Sequence, residues 1–129
     1  MLTINNQQRY FIYSGLADMR KGFDSLCGIV ISEFKMNPLT GDVFIFLSST
    51  KTRIKLLQWQ HDGFAIYYKR LEKGTFEHIE NKGTTVTLIP AQQLMLIMEG
   101  IQLSSIKQRM RYHHSDVNKP GENNLRIYN

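Results

Sequence analysis

The segment KTRIKLLQWQHDGFAIYYKRLEKG, Lys51 to Gly74, sets lysines and arginines among aromatic and aliphatic side chains around one Asp-Gly pair. Cations neutralise phosphates and flat rings stack on bases, so a nucleic-acid surface needs this mixture. A plain β-hairpin with solvated lysines carries it too. Two further cations, Arg20 and Lys21 in MRKG, precede a predicted helix. Exposed amides at a helix start can hold a phosphate jointly with such side chains. The alternative is solvation, or pairing with Asp18 or Asp24, and the sequence leaves both open.

Other chemistries find less support. The histidines, His61, His78, His113 and His114, show no structural-zinc spacing and have no paired cysteines. Cys27 falls on an apolar helical face, where a buried structural thiol is expected. The chain has neither a GxSxG elbow nor a Walker phosphate loop. A two-metal nuclease needs clustered carboxylates. The eleven acids are scattered, and Asp18, Asp24, Asp42 and Asp62 each stand at a predicted turn or helix start. Short acids have local structural roles there. No catalytic residue, metal site or cofactor is assigned.

A chain of 129 residues fits one domain, and 42% hydrophobic content is enough to fold. No apolar run reaches a membrane span, and the start, MLTINNQQRY, does not read as a signal peptide. One cysteine excludes an internal disulfide, so a cytoplasmic location is expected. The formal charge is +5, which favours acidic partners such as DNA. Lys107, Arg109, Arg111, Lys119 and Arg126 face only Asp116 and Glu122 in the last stretch, so the tail holds +3 of that charge. Its SDVNKPGENN run is polar and turn-rich, and part of it is expected to be mobile.

The elements that must position these cations follow from periodicity. RYFIY, Arg9 to Tyr13, reads as a strand. Asp18 suits a helix N-cap. Phe23, Leu26, Cys27, Val30 and Phe34 share a helical face, which Asn37-Pro38 ends. VFIFL, Val43 to Leu47, suits a buried strand. Asp62-Gly63 marks a hairpin, and Lys73-Gly74 a weaker turn into a strand at TFEHIE. TTVTLI, Thr84 to Ile89, is a further strand. Pro90 opens a second helix with an Ala91, Leu94, Met95 and Met98 stripe and a Gly100 cap. The expectation is a single small α+β domain, a mostly antiparallel sheet with two helices, over residues 1–112. A basic, partly flexible C-terminal tail covers 113–129.

A two-residue Asp62-Gly63 loop would set Trp59 opposite Ile66, Leu57 opposite Tyr68, Lys55 opposite Arg70 and Arg53 opposite Glu72. Lys55 against Arg70 is a like-charge pair that wants an anion. A second two-residue loop at Lys73-Gly74 would supply Glu77 to Arg70. Arg53–Glu72 and Arg70–Glu77 would then be structural ion pairs, with a DNA phosphate competing to neutralise the Lys55–Arg70 pair. The cations left free would be Lys51, Lys55, Lys69 and Lys73.

Three stretches together carry a family resemblance: DMRKGFDSL, GDVFIFLSSTKTRIKLLQWQHDGFAIYYKRLEKGTF and TVTLIPAQQLMLIMEGI. Over Tyr10 to Tyr112 the chain resembles the TnpB, or second-open-reading-frame-like, accessory proteins of IS66-type bacterial insertion sequences. It departs from that pattern at Pro90, where Ser or Thr is usual, and the tail after Tyr112 has no counterpart. The resemblance implies a non-catalytic accessory factor of DNA transposition, encoded beside a separate transposase. The implied partners are insertion-sequence end DNA, the transposase and other accessory proteins of the element. It carries over no site residues. From charge placement, the DNA-binding candidates are Arg20, Lys21, Lys51, Lys55, Lys69, Lys73, Arg109 and Arg111. The other reading is an adaptor that docks the transposase without contacting DNA.

Overall fold

A computed structural model describes residues 3–79 and 83–100. The strands are β1 (Tyr10–Tyr13), β2 (Val43–Leu47), β3 (Arg53–Trp59), β4 (Phe64–Arg70) and β5 (Val86–Ile89). They form one sheet in the order β4-β3-β2-β1-β5. β1 and β2 run parallel, and the other three pairings are antiparallel. Helix α1 (Phe23–Ser32) connects the parallel pair, and α2 (Ala91–Met98) follows β5. The fold is the expected α+β domain. The expected tail, with Arg109 and Arg111, lies outside the described residues.

Strand β2 explains the layering. All five of its side chains are buried, because it lies mid-sheet with a core on each face. Val43, Ile45 and Leu47 join Tyr10, Ile12, Ile54, Leu56, Leu94 and Ile97 on the α2 side. Phe44 and Phe46 join Leu57, Leu26, Val30 and Phe34 on the α1 side. Two-residue alternation along a strand divides the two sets.

Helix α1 buries Leu26 and Val30 of the expected face and adds Ile29, but ends at Ser32 before Asn37-Pro38. Phe34 then packs from outside the helix, its ring stacked on Phe46 at 5.8 Å. Phe23, expected on the inner face, is 48% exposed. Asp18 is not the N-cap, a position Gly22 fills. In α2, Ala91, Leu94, Ile97 and Met98 point inward, while Met95, expected on that stripe, is exposed. Pro90 stands one residue before the helix, and Gly100 ends it with φ +78°.

The β3–β4 register differs from the expectation by two residues. Trp59 lies opposite Phe64, Leu57 opposite Ile66, Lys55 opposite Tyr68 and Arg53 opposite Arg70. Gly63 does not adopt the positive φ that a type I′ turn requires, and His61 takes it instead at φ +65°. A longer loop results, closed by the Gln60 N–H donating to the Gly63 carbonyl at 2.7 Å. The observed register stacks Trp59 edge-on against Phe64 at 5.1 Å. It also replaces the expected Lys55–Arg70 repulsion with a Lys55–Tyr68 contact. An even slip leaves every side chain on its expected face while changing every partner.

The strand expected at TFEHIE does not form among its described residues. A turn occurs, with Gly74 at φ +80°, but residues 75–79 run as irregular chain. Phe76 holds them down, buried against the α2-side core, with its N–H donating to the Lys51 carbonyl at 2.7 Å.

Candidate nucleic-acid interface

One end of the sheet collects most of the cations among the described residues. The chain leaving β1 brings Arg20 and Lys21 there, the β2–β3 turn brings Lys51, β3 begins with Arg53, and β4 ends with Arg70 before Lys73. Parallel β1 and β2 cause this, since both deliver their carboxyl ends to that edge. The Ala17 N–H donates to the Leu47 carbonyl at 2.8 Å, stitching the post-β1 loop to the end of β2.

Lys55 is the anchor of this end, and the expectation that its charge is free is corrected. It lies in β3 between two paired strands and is 8% exposed. Its Nζ donates to the carbonyl oxygens of Met19 and Lys21, both at 2.8 Å. The same Nζ stands 4.7 Å from the Tyr68 ring centroid, a cation–π contact. An ammonium has three donors and no acceptor, so a buried one needs such a cage.

Arg20 is engaged rather than free. Its guanidinium bonds both Asp18 oxygens, with contacts of 2.7 to 3.1 Å, and its backbone N–H donates to Asp18 Oδ1 at 2.9 Å. The Arg20 side-chain and backbone hydrogen bonds hold the Asp18 carboxyl well below the usual carboxylate range. Lys69, expected free, sits on the α2 face with its Nζ 3.4 Å from the Met98 carbonyl at the end of α2. A helix C-terminus carries partial negative charge, which favours a cation there.

The expected ion pairs are also rearranged. Arg70 bonds Glu72, with Nη2 to Oε2 at 2.9 Å and Nε to Oε2 at 3.0 Å, instead of taking Glu77 across a further strand. Glu72 is thereby occupied, and Arg53 faces Arg70 in place of Glu72. Of the ion pairs Arg9–Asp42, Arg20–Asp18 and Arg70–Glu72, none uses Arg53, Lys51 or Lys73, and Lys21 stands close enough to Asp18 to help lower its pKa. Like charges directly opposite destabilise a ladder, so Arg53 is the position where an anion gains most.

Two clefts meet at Arg53. One, of about 850 Å³, runs between the Leu16–Arg20 chain and the β2–β3 turn, and hydroxyls of Ser48, Thr50 and Thr52 line one wall. Those hydroxyls are linked in a chain, at 3.2 Å and 2.8 Å. The other, of about 390 Å³, is lined by Arg53, Tyr68, Arg70 and Glu72. Cations, hydroxyls and an exposed ring are suited to phosphodiester oxygens and bases.

Residues 8–108 match the family described as "IS66 Orf2 like protein". The chain belongs to that family. Membership in this IS66 Orf2-like family gives it an accessory role in insertion-sequence transposition. It is similar to the uncharacterized protein y4hO of Sinorhizobium fredii (strain NBRC 101917 / NGR234), 34% identical over 101 residues that cover 78% of this chain and 87% of that one. It is also similar to the uncharacterized protein y4jC of the same strain, 25% identical over 101 residues covering 78% and 86%. No solved structure matches it.

Elsewhere in this family member, Arg9 and Asp42 form a two-pronged pair at 3.0 and 2.8 Å, which joins the starts of the parallel strands. Sequence reasoning missed it. Its available signal was a cation and an acid each placed one residue before a strand. Among the described residues no group of His, Cys, Asp or Glu is arranged to hold a metal ion, and no helix is long and apolar enough to cross a membrane.

Proposed function

We propose that the chain serves transposition as a non-catalytic DNA-binding accessory, gripping phosphates near the insertion-sequence ends with the cationic end of its sheet. The observation that carries this is Arg53, set opposite Arg70 and outside the Arg70–Glu72 ion pair, at the junction of both clefts. Lys21, Lys51 and Lys73 add positive charge around it, and Arg20 remains solvent-facing beside Asp18. Lys55 is engaged inside the fold, and Lys69 at the end of α2. Binding of this kind is weakly sequence-specific and strongly salt-dependent. Titration of end-sequence DNA at low and moderate salt tests it, and absence of binding at low salt refutes it.

A second reading rests on a different surface. Phe23, Cys27 and Ile31 are spaced four apart along α1, with Phe23 48% and Ile31 57% exposed. This ridge supports docking of the transposase or another accessory protein of the element. Co-purification that survives nuclease and moderate salt, and disappears on replacing Phe23 and Ile31 with Ser, would favour it.

A further inference from the structure

Tyr68 differs from the other sheet aromatics. Of the Phe, Tyr and Trp side chains described, Phe23 and Tyr68 alone are exposed, and Tyr68 alone of these lies on the sheet. β4 is an edge strand, so the ring is open to lateral approach. Lys55 holds one face of the ring at 4.7 Å, and Lys55 is itself fixed by two carbonyls. A ring fixed in advance loses little freedom when a ligand stacks on it. Arg70 stands two residues further along the same strand face, about 7 Å away by strand geometry, with Arg53 beside it across the ladder.

We propose that the cleft of Tyr68, Arg53, Arg70 and Glu72 takes an unpaired nucleotide of DNA, its base stacked on Tyr68 and its phosphate on Arg53. The cleft volume, about 390 Å³, falls in the range of small-ligand sites. Glu72 keeps Arg70 partly neutralised at 2.9 Å and offers an acceptor to a base amino group, which leaves Arg53 as the phosphate contact. Paired bases inside a duplex present no free face to a ring. The cleft therefore selects single-stranded segments or frayed ends, the forms in which a base is open to stacking. This proposal rests on the DNA-binding reading and narrows it to a substrate class.

Fluorescence anisotropy with one labelled oligonucleotide, presented as a single strand and as its duplex, separates the two claims. The full chain is expected to bind the single strand more tightly. Tyr68→Leu should weaken single-strand binding about 5- to 100-fold and weaken duplex binding much less. Tyr68→Trp should keep the preference, and its added emission should be quenched by the single strand and not by the duplex. That variant decides the matter if Tyr68→Leu fails to fold. Equal affinity for both forms, with no quenching of Tyr68→Trp, overturns this proposal while the DNA-binding reading stands. Absence of binding to either form at low salt overturns both.

Discussion

The Lys55 ammonium donates to the Met19 carbonyl at 2.8 Å, tying the centre of the sheet to the loop that presents Arg20 and Lys21. Lys55 thus braces the cationic end from within the sheet. Hydrogen bonds to charged groups contribute about 1.5–3 kcal/mol each, and desolvating the ammonium offsets part of the gain from two. Lys55→Met should lower stability by about 2–3 kcal/mol. The check is a drop in urea midpoint at unchanged m-value. A loss under about 0.5 kcal/mol would mean that the cage is not stabilising.

Asp18 restrains Arg20. Arg20 keeps the Asp18 carboxyl well below its ordinary pKa, so the acid is charged at any neutral assay pH. A depressed carboxylate stabilises the fold above its unfolded pKa, and this contribution fades as pH falls through the folded value. The turn should therefore persist from neutral down through mildly acid pH. Asp18→Asn should release Arg20 and tighten DNA binding at low salt, with a steeper salt dependence, measured by anisotropy.

Phe76 is the one fully buried side chain of the irregular 71–79 segment. Phe76→Ala should cost about 3–5 kcal/mol through the cavity left in the α2-side core. Limited proteolysis should then cut near Lys73, which the unaltered protein should resist.

Burial, and secondarily Asp24, pushes the Cys27 thiol above its ordinary pKa. The fold favours the neutral thiol, so this contribution is present below the unfolded thiol pKa and fades as pH rises through the raised folded value. Native Cys27 should react with iodoacetamide more slowly at pH 8 than the urea-unfolded chain does. Equal rates would contradict the shift.

Much of the fold was legible in periodicity. VFIFL reads as a doubly buried strand because five apolar residues in a row suit a strand covered on both faces. The Leu26, Cys27 and Val30 spacing similarly marks α1, although Phe23 of the same stripe turns outward. Hairpin register was not legible. Asp62-Gly63 signals a turn, but whether Gly63 or His61 takes the positive φ is settled by packing of Trp59 on Phe64, Leu57 by Ile66 and Lys55 by Tyr68. The site suffered most, since a two-residue slip reassigns every charge pair. Lys55 reads as solvated from its type, yet RIKLL places it on a central strand opposite Phe46, where a cation has to be caged. Arg9–Asp42 was hidden because it spans 33 residues across a parallel pairing.

The central claim is that Arg53 holds a DNA phosphate. The most direct test is the slope of log affinity for insertion-sequence end duplex against log salt, for the unaltered chain and for Arg53→Gln. Removing one cation from a phosphate should reduce the slope by about 0.9. The expected result is a slope shallower by about 0.9 for Arg53→Gln. An unchanged slope for Arg53→Gln, at equal folded fraction, would contradict the claim.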